Sequence, residues 1–353
     1  MEGYGGAPDE PTLAHRDSAA RLEISAAASR ATRETIESTH LAVGATRAVG
    51  AGNRARPEEP DEWRSCFERD RDRILHSNAF RRLAGKTQVF VFPEDHMRTR
   101  LTHALEVAQV AVGIARPLGL NVALVEAIAL GHDCGHGPGG HASEEALDPF
   151  VEHGFDHATW GADVSLAPLN LCVETLDGIR NHSWSRPAPA TPEGEVVSWA
   201  DRIAYVCHDF EDAVAAGIVE PTDLPAVVAQ RCGVRRGRQL GAFINAMVRT
   251  VAATGVVGMD ARHAEALSAF RAFNYERIYL RAASRDQADR VVAMLRALVE
   301  HYAANPGLIL DQPGEPLERA VAYVAGMTDR FACRSAVTLL GWPEDRLPTG
   351  IDR

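Results

Sequence analysis

Apolar residues recur every three or four positions along most of this chain, a spacing that predicts amphipathic α-helices. The segment that begins at Arg98 has this spacing at four positions, which we expect to be buried: Leu101, Leu105, Ala108 and Val112. His103 lies off that apolar stripe. The next helix is expected from Val122 to His132, with a buried face formed by Val125, Ile128 and Ala129. The pattern therefore indicates an all-α protein.

Local signals place the start of other helices. Thr191 offers a capping hydroxyl, Pro192 suits the first helical position, and Glu193 adds an acid to the first turn. The Ser143 hydroxyl can cap another helix. We expect further helices at about 21–40, 67–76, 238–255, 261–281, 285–303 and 315–340. The charges of the 67–76 segment are expected to form a solvated face, and the alternating residues 87–92 a short extended piece.

Composition limits the protein class. The chain has 353 residues, of which 46% are hydrophobic, so it can bury a large core. We expect residues 1–45 to form a partly disordered tail with a possible helix, and residues 46–353 to form one helical unit with a C-terminal helical extension. Six cysteines without a CxxC pair, and no signal or membrane segment, predict a cytoplasmic protein without a membrane partner.

The formal net charge of −11 argues against a dedicated nucleic-acid-binding surface, because binding to a phosphate backbone depends on clustered Lys and Arg. One dense basic group remains, which we call the arginine cluster: Arg231, Arg235, Arg236 and Arg238. It is expected in a loop that contacts an effector, a partner or only solvent.

Candidate chemistry centres on residues 131–141, which we call the glycine-rich turn. It contains the adjacent pair His132-Asp133, preceded by His103 and followed by Asp201. Two imidazoles and two carboxylates suit a divalent cation, with Mg, Mn, Fe, Co, Ni or Zn all compatible. At 100° per residue, a helix that brings Asp201 to a metal brings three further polar residues toward the same cavity: Tyr205, His208 and Asp209. The metal core is expected within residues 95–215.

Several segments together resemble the HD-domain deoxynucleoside triphosphate triphosphohydrolases, also described as dGTPase-like. The resemblance rests on Phe67–Arg73, Arg81–Phe90, Arg98–Gln109, His132–His141, Trp199–Tyr205, His208-Asp209 and Ala325–Arg330. It implies a multi-helix HD-domain phosphohydrolase bundle and a homo-oligomer. It also implies the same four metal ligands that the spacing had selected: His103, His132, Asp133 and Asp201.

The resemblance further implies roles for individual side chains. His141 would be a catalytic acid or base supported by Glu144, although Glu144 equally fits a first-turn acid on a helix dipole. Arg100 and Arg202, with Lys86 as a weaker candidate, would meet phosphate charge. The sugar would contact Tyr205, Asp209 and Gln88, and Tyr279 would disfavour a ribose 2′-hydroxyl unless it is only a core residue. His157 could approach the phosphates, but Ala158–Gly161 departs from the Asn- and Gln-rich sequence usual there.

The expected function is metal-dependent hydrolysis of dGTP or other deoxynucleoside triphosphates to a deoxynucleoside and tripolyphosphate. One alternative is an HD phosphohydrolase that acts on nucleoside monophosphates or modified nucleotides. Another, of a different class, is a nucleotide sensor or a single-strand nucleic-acid-binding protein that uses the arginine cluster.

Overall fold

The computed structural model describes residues 11–90, 92, 96–309 and 314–349. These residues form fifteen α-helices and no strand, which confirms the all-α prediction. The first five helices are α1 (Arg30–His40), α2 (Cys66–His76), α3 (Asn78–Arg82), α4 (Arg100–Ala115) and α5 (Val122–Gly131). Residues 1–10 of the expected tail lie outside the described residues.

Ten helices follow the glycine-rich turn. Their bounds are α6 (Ala142–Leu147), α7 (His157–Trp160), α8 (Val173–Arg180), α9 (Pro192–Ala215), α10 (Ala226–Cys232), α11 (Arg236–Thr254), α12 (Ala261–Asn274), α13 (Ala282–Ala304), α14 (Pro316–Ala325) and α15 (Asp329–Leu340). The Thr191 hydroxyl accepts a hydrogen bond from the Gly194 amide at 3.1 Å, as the capping prediction requires. In the described part of the chain, no helix combines the length and apolarity needed to cross a bilayer.

Several expected boundaries were wrong. The first helix begins at Arg30 rather than at residue 21, because Ser29 caps it through a hydrogen bond from the Thr32 amide. The expected helix at 315–340 is divided into α14 and α15 by residues 326–328. The helix expected at 261–281 changes to a wider π-helical turn at Tyr275–Tyr279. Within the described part of 87–92, only an isolated bridge from Thr87 to Thr99 has extended pairing.

The main core packs α4 against α5 and α9. Here the predicted stripe of α4 was wrong, since Leu105 is 47% exposed and Leu101, Ala108 and Val112 are only partly buried. The buried face instead carries Ala104, Val107, Ala111 and Ile114 together with His103. This helix is apolar on two sides, so periodicity alone could not identify the side that faces α5 and α9.

A second core lies at the C-terminal end of the chain. Helices α13, α14 and α15 pack with α6, and apolar side chains from all four elements are buried there: Leu147, Leu295, Val321 and Ala332. Helix α6 directly follows the glycine-rich turn. The turn therefore connects the main core to the second core.

The charged helix α2 is not simply a solvated face. Asp70 is fully buried and accepts a hydrogen bond at 2.6 Å from the equally buried Arg54. Its other oxygen accepts from the Cys172 amide and the Thr175 hydroxyl, each at 2.8 Å. The partners of Asp70 come from distant parts of the sequence, so the charge pattern of α2 could not reveal that it is buried.

Candidate functional site

A cavity of about 540 Å³ lies where α4, α9 and the glycine-rich turn meet the π-helical turn. Its walls include most of the predicted site residues: Gln88, Arg100, His103, Asp133, His141, His157, Asp201, Arg202, Tyr205, Asp209 and Tyr279. His132 lies immediately behind this wall, since its Nε2 is 3.5 Å from Asp133 Oδ1. Glu144 contacts the wall through His157.

The four predicted metal ligands converge at one end of the cavity. The Asp201 Oδ1 atom lies 3.0 Å from His103 Nε2 and 3.7 Å from His132 Nε2. Helix α4 supplies His103, helix α9 supplies Asp201, and the end of α5 supplies the His132-Asp133 pair. The helices of the main core thus bring together residues that are about a hundred positions apart.

The glycine-rich turn permits this arrangement because its backbone passes very close to α7. A Cβ atom at Gly135 would lie 1.9 Å from the His157 carbonyl oxygen. Short-range hydrogen bonds keep the turn tight, from the Cys134 amide to Gly131 O and from the His136 amide to Asp133 O. Consecutive residues can therefore both face the site.

The donor set fits a divalent cation. The Nδ1–H of His132 donates to the Ala129 carbonyl at 2.7 Å, which leaves the lone pair on Nε2. That Nε2 atom is buried and has no hydrogen-bond partner among the described residues. It faces the carboxylates of Asp133 and Asp201. Two imidazole nitrogens and two carboxylates are ligands that Zn²⁺ and other first-row divalent ions accept.

Arg100 connects this end of the cavity to the space where a substrate would bind. Its Nη1 donates to Asp133 Oδ2 at 2.7 Å, and both side chains are buried. Burial opposes ionisation of Asp133, but the nearby charge of Arg100 holds its pKa well below the usual range. The Nε and Nη2 atoms of Arg100 have no partner in the described part of the chain, so two donors remain for an anionic ligand.

A group of histidines and one carboxylate forms the adjacent wall. His141 Nδ1 lies 3.7 Å from Glu144 Oε2, and the other oxygen of Glu144 accepts a short hydrogen bond from His157 Nδ1. Burial opposes ionisation of Glu144, yet His141 and His157 keep its pKa well below the usual range. The His157 ring stacks on His136 at 3.8 Å. The predicted pairing of His141 with Glu144 is thus present, and His157 joins it.

The opposite wall combines hydroxyl and carboxyl groups. Tyr279 donates its hydroxyl hydrogen to Asp209 Oδ2 at 2.5 Å. The remaining Asp209 Oδ1 and the Gln88 Oε1 atom are buried and have no partner among the residues described. Burial raises the pKa of Asp209 to about 7. Unpaired acceptors next to a cavity favour a ligand that donates hydrogen bonds.

Arginine and aromatic side chains line the outer part of the cavity. The Arg202 guanidinium lies 3.5 Å above the Trp184 ring, a cation–π arrangement. Arg271 donates to the Tyr205 hydroxyl at 3.1 Å and lies over the Tyr275 ring. This part of the cavity can therefore accept negative charge.

Two expectations were wrong. Lys86 does not line the cavity, because its ammonium group is buried and donates to the carbonyls of His136 and Ala325. His208 is also buried away from the cavity, with Nδ1 3.3 Å from Glu106. Of the three residues expected beside Asp201, only Tyr205 and Asp209 face the cavity.

Several other residues that line the cavity had no role predicted from the sequence, among them His136, His182, Trp184, Arg271 and Tyr275. His136 lies within the glycine-rich turn, so its position was a usable signal. His182 and Trp184 belong to an Asn-His-Ser-Trp segment between α8 and α9 that has no periodicity. His182 contacts both His132 and His157, with its Nε2 3.2 Å from His157 Nε2.

Comparisons with known proteins identify the family of this chain. An HD domain matches residues 100–206, and a phosphohydrolase-associated domain matches residues 257–337. A deoxyguanosinetriphosphate triphosphohydrolase-like protein of Caldanaerobacter subterraneus is 40% identical over 332 residues, covering 90% of this chain and 95% of that protein. A protein of the same description from Clostridium perfringens is 40% identical over 300 residues, covering 79% and 87%.

A solved structure shares the fold at lower sequence identity. The crystal structure of a hypothetical protein from Aquifex aeolicus superposes with a TM-score of 0.52 at 19% identity, covering 78% of this chain and 69% of the other. That likeness concerns the helical fold alone. The matched domains and the relatives at 40% identity show that this chain belongs to the HD-domain phosphohydrolases, among the deoxyguanosinetriphosphate triphosphohydrolase-like proteins.

Proposed function

We propose that the protein hydrolyses deoxynucleoside triphosphates to a deoxynucleoside and tripolyphosphate in a metal-dependent reaction. One observation carries the proposal: a single cavity joins a two-His, two-Asp cluster to unpaired arginine donors and unpaired carboxyl and amide acceptors. The His and Asp cluster can hold a cation, and the arginine donors suit phosphate oxygens. The carboxyl and amide acceptors suit sugar hydroxyls. The description of the relatives, which names dGTP, supports the same substrate class.

His103, His132, Asp133 and Asp201 are the residues that would hold the divalent ion. When bound there, such an ion lowers the pKa of a coordinated water and polarises a phosphoryl oxygen. Arginine side chains of the protein supply further positive charge to bind the triphosphate. Arg100 and Arg202 bind phosphate oxygens, and the Arg100 fork is already oriented by its bond to Asp133.

The reaction adds water across the bond between the α-phosphorus and the 5′ oxygen. One proton must reach the leaving 5′ oxygen, and His141 donates it. Glu144 supports this role because its carboxylate lies 3.7 Å from Nδ1 of His141 and orients the imidazole ring. His157 holds Glu144 from the other side.

The sugar end of the cavity selects the substrate. Asp209, Gln88 and Tyr205 bind the 3′-hydroxyl, since two of them carry unpaired buried oxygens. Tyr279 packs against the sugar and occupies the space that a ribose 2′-hydroxyl would need. A deoxyribose then fits better than a ribose.

The arginine cluster supports a nucleic-acid-binding function less well. Arg231 pairs with Glu265 at 2.6 Å and Arg236 pairs with Glu211 at 2.5 Å, so half of its charge is offset by neighbouring carboxylates. We also expect the protein to be cytoplasmic and to form a homo-oligomer. Sedimentation of the purified chain would test the oligomeric state.

The decisive experiment is product chromatography with each of the four deoxynucleoside triphosphates and with deoxynucleoside monophosphates. We expect deoxynucleoside and tripolyphosphate in equal amounts, and no orthophosphate. Hydrolysis of monophosphates alone, or release of orthophosphate without tripolyphosphate, would instead assign the protein to another HD phosphohydrolase activity.

A further inference from the structure

The segment Ala325–Arg330 is part of the family resemblance but lies outside the cavity. Its Asp329 is the first residue of α15 and is buried. One carboxylate oxygen accepts hydrogen bonds from the Thr87 amide at 2.9 Å and the Thr87 hydroxyl at 2.6 Å. The other accepts from the Gly139 amide at 2.8 Å. A side chain from the C-terminal helices therefore holds the glycine-rich turn.

Lys86 makes a second connection at the same place. Its ammonium group donates to the His136 carbonyl and, at 2.9 Å, to the Ala325 carbonyl at the end of α14. Lys86 and Asp329 thus bind the turn at two points, residues 136 and 139. These two points lie just after the metal-ligand pair and just before His141.

Packing restricts the turn on a third side. Gly139 has φ of +74°, and a Cβ atom there would lie 2.5 Å from Val291 of α13. Helix α6, which carries Glu144, packs into the second core with the same C-terminal helices. The His141 side chain itself is 73% exposed and contacts Glu144 and the rings of His136 and His157, so the backbone of the turn contributes to its position.

We propose that Asp329 is a positioning residue, which fixes the backbone at Gly139 so that His141 is presented to the substrate. This inference rests on the proposed role of His141 in proton transfer. Asp329 belongs to the phosphohydrolase-associated region, residues 257–337, whereas the four proposed metal ligands all lie in the HD domain. The positioning role would therefore explain how the associated region contributes to the site.

The chemistry requires a carboxylate rather than an amide at this position. All three bonded groups are donors, and an ionised Asp offers only acceptors. An Asn would turn its NH₂ group toward one of those donors, so it would lose a hydrogen bond while keeping nearly the same volume. An Ala would leave all three donors without this partner.

The first test compares Asp329→Asn and Asp329→Ala with Asp289→Asn, which makes the same change on an exposed face of α13. We expect kcat for deoxynucleoside triphosphates to fall by about 10- to 100-fold in the Asp329 variants, since a shift of about 1 Å has this effect. Bound metal should change little, because His132 and Asp133 precede both held points of the turn, and His103 and Asp201 lie on α4 and α9. The control should match the parent protein.

A double-mutant cycle separates positioning from general loss of structure. In a His141→Ala background, Asp329→Asn should have little further effect on kcat, since the residue it positions is gone. Equal fold-losses in both backgrounds, or unchanged kcat in both Asp329 variants, would overturn the proposal.

A third measurement does not depend on catalysis. Amide hydrogen exchange at Gly139 should become at least about 10-fold faster in Asp329→Ala than in Asp289→Asn, because loss of a hydrogen bond to a charged acceptor corresponds to about 1.4 kcal/mol or more. If the protein hydrolysed no triphosphate yet showed this change, the proposed function would fail while the role of Asp329 in holding the turn remained. Unchanged exchange at Gly139 would refute the positioning role whatever the activity.

Discussion

We propose that Asp201 binds the metal and that His141 transfers the proton. Comparing Asp201→Ala with His141→Ala tests whether these two roles belong to different residues. Asp133 forms an ion pair with Arg100, at 2.7 Å, whereas Asp201 lies next to two imidazoles, those of His103 and His132. Without it, a divalent ion would face one carboxylate that is already paired. We therefore expect metal affinity to fall by more than the roughly 10- to 100-fold that follows loss of an outer-shell partner.

His141→Ala should act differently. The side chain is largely exposed, and its nearest described carboxylate is Glu144 rather than either Asp of the cluster. The variant should keep its metal and its thermal stability while kcat falls by roughly 10²- to 10⁴-fold, the usual contribution of a general acid or base. That range corresponds to about 3–5 kcal/mol in the activation barrier.

The assay is metal content per chain after gel filtration, followed by single-turnover rates at saturating nucleotide. Glu145→Gln, an exposed change on the same helix as Glu144, serves as the control and should resemble the parent protein. Loss of metal in His141→Ala to the same degree as in Asp201→Ala would show that His141 is a ligand. Full activity in His141→Ala would remove it from the reaction.

Three further changes test the fold and the selectivity of the cavity. Asp70→Ala should lower the free energy of unfolding, measured by urea titration, by about 3–5 kcal/mol, because Arg54 stays buried without its partner. The hydrogen bond from Arg73 lowers the pKa of Glu58 from 4.5 to about 2, so this partly solvated carboxylate stabilises the folded state above pH 4.5 and progressively less as the pH falls toward 2. Glu58→Gln should therefore be less stable at pH 7 by up to about 1 kcal/mol, and the difference should vanish near pH 2 in an acid-unfolding series. Tyr279→Ala, which removes the ring from the space beside the sugar, should reduce the preference for deoxynucleotides over ribonucleotides by about 10-fold in kcat/KM, and an unchanged ratio would contradict its role.

The sequence located the candidate metal cluster well because its residues lie in short, recognisable surroundings. His132 and Asp133 are adjacent, and a glycine-rich turn at the end of a helix is visible without a structure. The neighbours of Asp201 on α9 followed from helical geometry in two of three cases. His208 was the exception. Its angular position on α9 points to the same side as Asp201, but its imidazole contacts Glu106 of α4 and is buried there.

Long-range contacts explain most of what the sequence could not predict. Lys86 was expected at the phosphates, yet one of its two carbonyl partners, Ala325, is 239 positions away. His182 enters the site from a loop without periodicity, so a single histidine there carried no signal. On α4, two apolar faces competed for the core, and only the positions of α5 and α9 decide between them.

Under the proposed function, the π-helical turn at the end of α12 makes residue spacing a determinant of sugar selectivity. The Leu280 amide donates to the Tyr275 carbonyl, five residues earlier, so this turn contains one residue more than an α-helical turn. Deleting one residue here would restore regular geometry and rotate Tyr279 away from Asp209. Such a deletion would make the helix regular, and we expect it to weaken the preference for deoxyribose. Among related chains, gaps in this short segment would therefore mark changes of substrate more reliably than substitutions in the surrounding helices.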